Sequence, residues 1–192
     1  MKFMWKTLVQ CHIDYCSQLY LPGKPADLER LENLQRLYTK KIPEIRNLDY
    51  WQRLKVLQML SQERRMERYR AIYVWKMIEG LVPNCGQEVS ASERRGREIM
   101  VPQSKGSQRI QSMRDRSFQV NGARIFNSLP KSVRNLTKTS IEDFKSKLDK
   151  YLETLPDEPK LTNYTPAVCN QITASPSNSI IDHARSRHRR PG

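Results

Sequence analysis

Between Leu28 and Ile42 the apolar side chains fall three or four residues apart, at Leu28, Leu31, Leu34, Tyr38 and Ile42. An α-helix turns once every 3.6 residues, so this spacing gathers them on one face. A strand would need alternation at every second residue. Pro25 suits the first turn of that helix because its missing N–H has no intrahelical partner there, and Pro43 ends it. The same spacing returns at Trp51, Leu54 and Leu57 behind Asp49, a plausible N-cap. It is strongest over Gln62–Glu79, which Ser61 caps and Gly80 stops. A weaker helix is expected over Thr7–Leu19, ended by Pro22-Gly23.

The second half is less regular. Val82–Arg97 holds Pro83, Gly86 and Gly96 and reads as a loop. Glu98–Val101 and Arg109–Met113 are short strand candidates around residues 102–108, which predicts one small β-hairpin near 98–113. A helix follows over about Asp115–Asn127, with Phe118, Ala123, Phe126 and Leu129 toward the core and Pro130 as its stop. Ser140 opens another by a variant capping box with Asp143, placing Ile141, Phe144, Leu148 and Leu152 on one face. From Pro156 onward Pro, Ser, Asn and Thr dominate, and a flexible, disordered tail is expected. The expected architecture is mainly α in three parts: residues 1–80, residues 81–155 and the tail, 156–192.

Composition agrees. The chain has 192 residues, room for one domain and a tail, and only 7 glycines, too few for a turn-rich all-β fold. The longest clean apolar run, Ala71–Trp75, is far short of the roughly 18 residues a membrane span needs, so no membrane partner is expected. The first ten residues lack a secretory pattern, and Cys11, Cys16, Cys85 and Cys169 are sparse. An intracellular protein of the nucleus or cytoplasm, with free thiols, is expected.

Several enzyme classes lose their support. There is no Walker loop, no GxGxxG, no HExxH and no GxSxG. Cys11 and Cys16 lie about 140° apart around a helix axis and do not converge on one ion with His12. The carboxylates sit beside basic residues, which suits surface pairing better than acid–base catalysis. No catalytic residue, metal or cofactor is assigned.

Charge is the informative quantity. The chain carries 34 Lys and Arg against 20 Asp and Glu, a net +14, and the excess is spread along the body rather than held in a basic tail. Basic clusters occur at Lys40-Lys41, at Arg94-Arg95 with Arg97, at Arg114 with Arg116, and from Arg185 to Arg190, the last similar to a nuclear import signal. In the strongest helix Met66, Tyr69, Tyr73 and Met77 form a core stripe. Arg64, Arg68 and Trp75 fall within about 40° of one another on another ridge. Two roles fit this ridge. It can be a solvated basic face with Trp75 buried against a neighbouring helix, which the ridge taken alone favours. Alternatively its guanidiniums hold phosphates while an exposed indole stacks on a base. Taken together, the clusters favour a polyanionic partner.

The order of several segments resembles one family. His12-Ile13-Asp14-Tyr15-Cys16-Ser17 precedes Leu31-Glu32-Asn33-Leu34-Gln35-Arg36, Tyr50-Trp51-Gln52-Arg53-Leu54, Glu63-Arg64-Arg65 and Val74-Trp75-Lys76-Met77-Ile78-Glu79-Gly80. Phe126-Asn127-Ser128-Leu129-Pro130 and Phe144-Lys145-Ser146-Lys147-Leu148-Asp149 follow. This resembles the thumb and post-thumb region of jockey-type non-LTR retrotransposon reverse transcriptases, over nearly the whole chain. The resemblance implies a thumb-like helical bundle without the polymerase palm or its paired aspartates, and hence no catalysis by this chain. It further implies binding of RNA or an RNA–DNA duplex, with the palm region or another protein as partner. Lys40, Lys41, Arg64, Arg65 and Arg68 are the implied contacts; Trp75, Arg94, Arg95 and Arg97 join them as candidates from the basic and aromatic pattern. The alternative is a degenerate element remnant that acts as a helical protein-interaction module.

Overall fold

The computed structural model describes residues 2–17, 25–83, 89–92, 96–103, 106–158 and 179–188. The chain starts with a helical segment made of α1 (Lys2–Met4), a π-helical stretch (Trp5–Gln10) and α2 (Cys11–Asp14). Then come α3 (Pro25–Lys40), α4 (Tyr50–Leu57) and the long α5 (Gln62–Ile78). Strands β1 (Val89–Ser92) and β2 (Gly96–Ile99) follow, then α6 (Gln108–Asp115), α7 (Phe118–Ser128), α8 (Lys131–Arg134), α9 (Ile141–Glu153) and α10 (Ile180–His188). The fold is mainly α, as expected.

The caps explain why the helices begin where they do. Each hydroxyl accepts an otherwise unpartnered first-turn N–H: Ser61 from Arg64, Ser117 from Val120 and Ser140 from Asp143. Gly80, at φ +73°, supplies the left-handed residue that lets the chain leave α5.

The main core lies between α5, α7 and α9. Trp75 and Phe144, both fully buried, stack with ring centroids 4.6 Å apart and planes 12° from parallel. Phe126, Ile125, Leu129 and Leu148 fill the rest. Gly122 lets α5 and α7 approach closely, since a Cβ there would stand 3.0 Å from Val74 Cγ2.

The hairpin sits earlier than expected. β1 and β2 pair antiparallel, Val89 opposite Ile99 and Ser92 opposite Gly96. The expected second strand, Arg109–Met113, is instead helical, within α6. Its apolar residues, Ile110 and Met113, are three apart, a helical spacing, and both are exposed. Side-chain amides hold β2 on the helices. Asn127 donates to Ile99 O at 2.8 Å and accepts from Ile99 N at 2.9 Å, as a neighbouring strand would, while Asn135 accepts from Arg97 N at 3.0 Å.

The expected disordered tail is corrected in two places. Residues 156–158 run back to the start of α5, where Asp157 accepts from Ser61 N at 2.8 Å and from Ser61 Oγ at 2.6 Å. Residues 180–188 form α10, whose Ile180 is fully buried in the main core. Glu67 receives its first turn, accepting from Ser179 Oγ at 2.6 Å and Ile180 N at 2.9 Å. Residues 159–178 and 189–192 lie outside the described residues.

Glu32 is buried beside the same helix start. It accepts from Gln62 N at 2.7 Å and from the Tyr50 hydroxyl. Burial pushes its pKa up to about 8 and that of Glu67 up to about 7, against an ordinary 4.5, despite the hydrogen bonds that favour their charged forms. Unfolded, both acids ionise near 4.5. Between that pH and their folded values the native chain holds protons that the unfolded chain has lost. Their contribution to stability is therefore greatest below about pH 4.5 and is lost as pH rises through about 7 and 8.

Two outcomes follow for stability. Phe126→Ala should cost about 3–5 kcal/mol in denaturant unfolding, whereas a loss under about 1 kcal/mol would contradict its burial. Glu32→Gln removes the buried ionisation. The melting temperature of the variant minus that of the parent should thus increase between pH 5 and pH 8.5; a constant difference would contradict the raised pKa.

Candidate nucleic-acid interface

The structure scatters the nine candidate residues over distinct environments. Lys40 and Lys41 are exposed at the C-terminal end of α3, where the helix dipole favours cations. Arg46 is exposed in the turn that follows, which is anchored by buried Ile42 and Ile45. Arg94 and Arg95 lie outside the described residues. The other five are built into the fold.

Arg64 is fully buried and donates through Nη2 to Pro156 O at 3.0 Å. Trp75 is fully buried too and donates through Nε1 to Leu136 O at 3.0 Å. The exposed indole that base stacking requires is therefore not there; Trp75 stacks on Phe144 instead. Arg97 pairs with Glu79 at 2.8 Å and donates to Leu136 O at 2.9 Å.

Arg65 and Arg68 each grip a distant carboxylate with two nitrogens. Arg65 holds Asp14 at 2.8 and 2.6 Å, and Arg68 holds Asp149 at 2.5 and 2.7 Å. Both guanidiniums also lie over the Tyr69 ring, 5.4 and 5.8 Å from its centroid. Burial works against the charge of Arg65, but the hydrogen bond and charge of Asp14 outweigh it and raise its pKa. The hydrogen bonds that Arg68 donates to Asp149 raise its own. Both are permanent cations locked into fork-shaped pairs.

These two arginines line a cleft of about 500 Å³. Lys6 and Lys55, which the sequence did not single out, bring two exposed ammonium groups to its wall, while Asp149 and Glu153 bring two carboxylates. The wall is therefore cationic by two charges.

The wider surface is more one-sided. Among the described residues fourteen lysines and arginines are exposed against five carboxylates. The other described acids are buried or half-buried, many in the internal contacts above. The three exposed arginines Arg109, Arg114 and Arg116, on α6 and just after it, were signalled in sequence only by the Arg114/Arg116 pair.

Among the described residues no group of three or more His, Cys, Asp or Glu is placed to hold a metal ion, and no helix is long and apolar enough to cross a membrane. Cys11 and Cys16 are free thiols. No family model, curated protein or solved structure matches the chain.

The bidentate pair ties α5 to α9, so alanine at Arg68 and at Asp149 should be coupled. A double-mutant cycle read by chemical denaturation should return a coupling of about 1 kcal/mol. A coupling near zero would show Arg68 to be merely solvated.

Proposed function

We propose that this chain is a non-catalytic helical module that holds RNA or an RNA–DNA duplex by its phosphates, as the resemblance to the thumb region of jockey-type reverse transcriptases implies. The observation that carries the reading is the segregation of charge. Among the described residues most carboxylates are buried or half-buried, and the exposed charge is mainly cationic. A cationic surface attracts a polyanion by releasing its counterions, and this attraction carries no sequence information.

The contacts are reassigned from the buried ridge to exposed groups: Lys40, Lys41 and Arg46 after α3, and Arg109, Arg114 and Arg116 at α6. Arg64, Arg65, Arg68 and Trp75 act as framework. A second reading, a protein-interaction module, draws on the N-terminal helical segment, where Phe3, Leu8 and Tyr15 are 76%, 63% and 77% exposed. The charge excess favours the first reading because it covers the body of the chain.

Salt dependence tests it. Binding to single-stranded RNA and to an RNA–DNA duplex, followed by fluorescence anisotropy, should weaken steeply as salt rises. Replacing Lys40, Lys41 and Arg46 together by alanine should flatten the log–log salt slope by about two to three, roughly one per lost phosphate contact. No measurable binding at low salt would remove the reading and leave the interaction module.

A further inference from the structure

A second cleft, of about 540 Å³, opens between the C-terminal half of α7, α8, α9 and α10. This volume falls within the range of about 300–1,000 Å³ typical of sites that enclose small molecules. Its walls divide by chemistry. Arg124, Lys131, Arg134 and Arg185 provide four cations, and no carboxylate lines it. Val101, Leu129, Pro130, Ile181 and Ala184 provide an apolar surface, and Tyr151 also lines the cleft.

The cations are held at graded depth. The Arg134 side chain is only 8% exposed, and its Nη1 is fixed by Arg97 O at 3.2 Å and Glu98 at 3.1 Å. Arg124 gives one N–H to Asp115 at 2.8 Å. Arg185, 71% exposed, stands at the rim, 3.8 Å from Asp182. All three acids lie outside the lining, so the charged groups that line the cleft itself are cations. The other polar side chains are bonded elsewhere. Asn127 is bound to the Ile99 backbone, and Ser128 Oγ donates to Arg124 O at 2.8 Å.

Four cations suit an anionic group such as a phosphate, and the apolar wall beside them suits an apolar body. We infer that this cleft takes one unpaired nucleotide, its phosphate among Arg124, Lys131, Arg134 and Arg185 and its base on Tyr151 and the apolar wall. A base stacked and paired inside a duplex cannot enter, so the cleft adds a preference for single strands to a surface otherwise indifferent to strandedness. The source of the nucleotide rests on the nucleic-acid reading above; the cleft's capacity for a nucleoside monophosphate does not.

Lys131 and Arg185 are exposed, so replacing both by alanine leaves the core intact, which an unchanged melting temperature verifies. At fixed salt the double variant should bind a short single-stranded RNA about tenfold more weakly, and an RNA–DNA duplex no more than about threefold more weakly. A nucleoside monophosphate should shift the amide resonances of Ala184 and Tyr151 in the parent chain and not in the variant. Equal losses for strand and duplex, or no shift with the monophosphate, would overturn the inference. A shift in a chain that binds no RNA would keep the cleft and remove the wider reading. RNA binding untouched by the variant would do the reverse.

Discussion

The start of α5 is where the fold is tied together. A helix N-terminus leaves backbone N–H groups without intrahelical partners and carries a partial positive charge. Here it is met from three parts of the chain. Asp157 takes the Ser61 amide, Glu32 of α3 takes the Gln62 amide, and Ser61 itself takes the Arg64 amide. Two of these partners are acidic side chains, Asp157 and Glu32. One junction therefore links α3, α5 and the segment after α9.

The junction extends sideways through amides. The Gln62 side chain bonds to both Gln10 and Gln35, and Gln10 also accepts from the Trp5 indole at 2.8 Å. The N-terminal segment thus hangs on the same polar network as α3 and α5. Such a network specifies one arrangement of these helices, because shifting any of them would strand a buried polar group. It also places Glu32 in surroundings that resist its charge, which is why acid ionisation and packing are coupled here.

What was legible in the sequence is what depends on near neighbours. Ser61 and Ser140 act within their own first turns, and Phe126, Leu129, Phe144 and Leu148 fall on helical faces that follow from spacing alone. What was illegible depends on distant partners. Asp14 and Arg65 are 51 residues apart and Arg68 and Asp149 are 81 apart, so nothing local shows that these arginines are already paired. Residues 180–188 carry only two large aliphatic side chains, side by side at Ile180 and Ile181, and no apolar period. Their helix is held by Glu67, 113 residues away from Ile180. At β2 the deciding group is the Asn127 amide, which completes the backbone bonding of Ile99 from another element.

The same long-range pairing bears on where a polyanion can settle. A phosphate approaching Arg65 or Arg68 must displace a carboxylate that already occupies the guanidinium fork, and would leave that half-buried acid without its partner. A phosphate approaching Lys40, Lys41 or Arg46 meets exposed cations at a helix end and displaces only water and counterions. In the α7–α10 cleft Arg124 and Arg134 are likewise paired, with Asp115 at 2.8 Å and Glu98 at 3.1 Å, and those acids are not among the lining residues. The interior ion pairs therefore do more than hold helices together. By pairing Asp14, Asp149, Glu79 and Glu98 with arginines of the fold, they leave fourteen exposed lysines and arginines against five exposed carboxylates among the described residues.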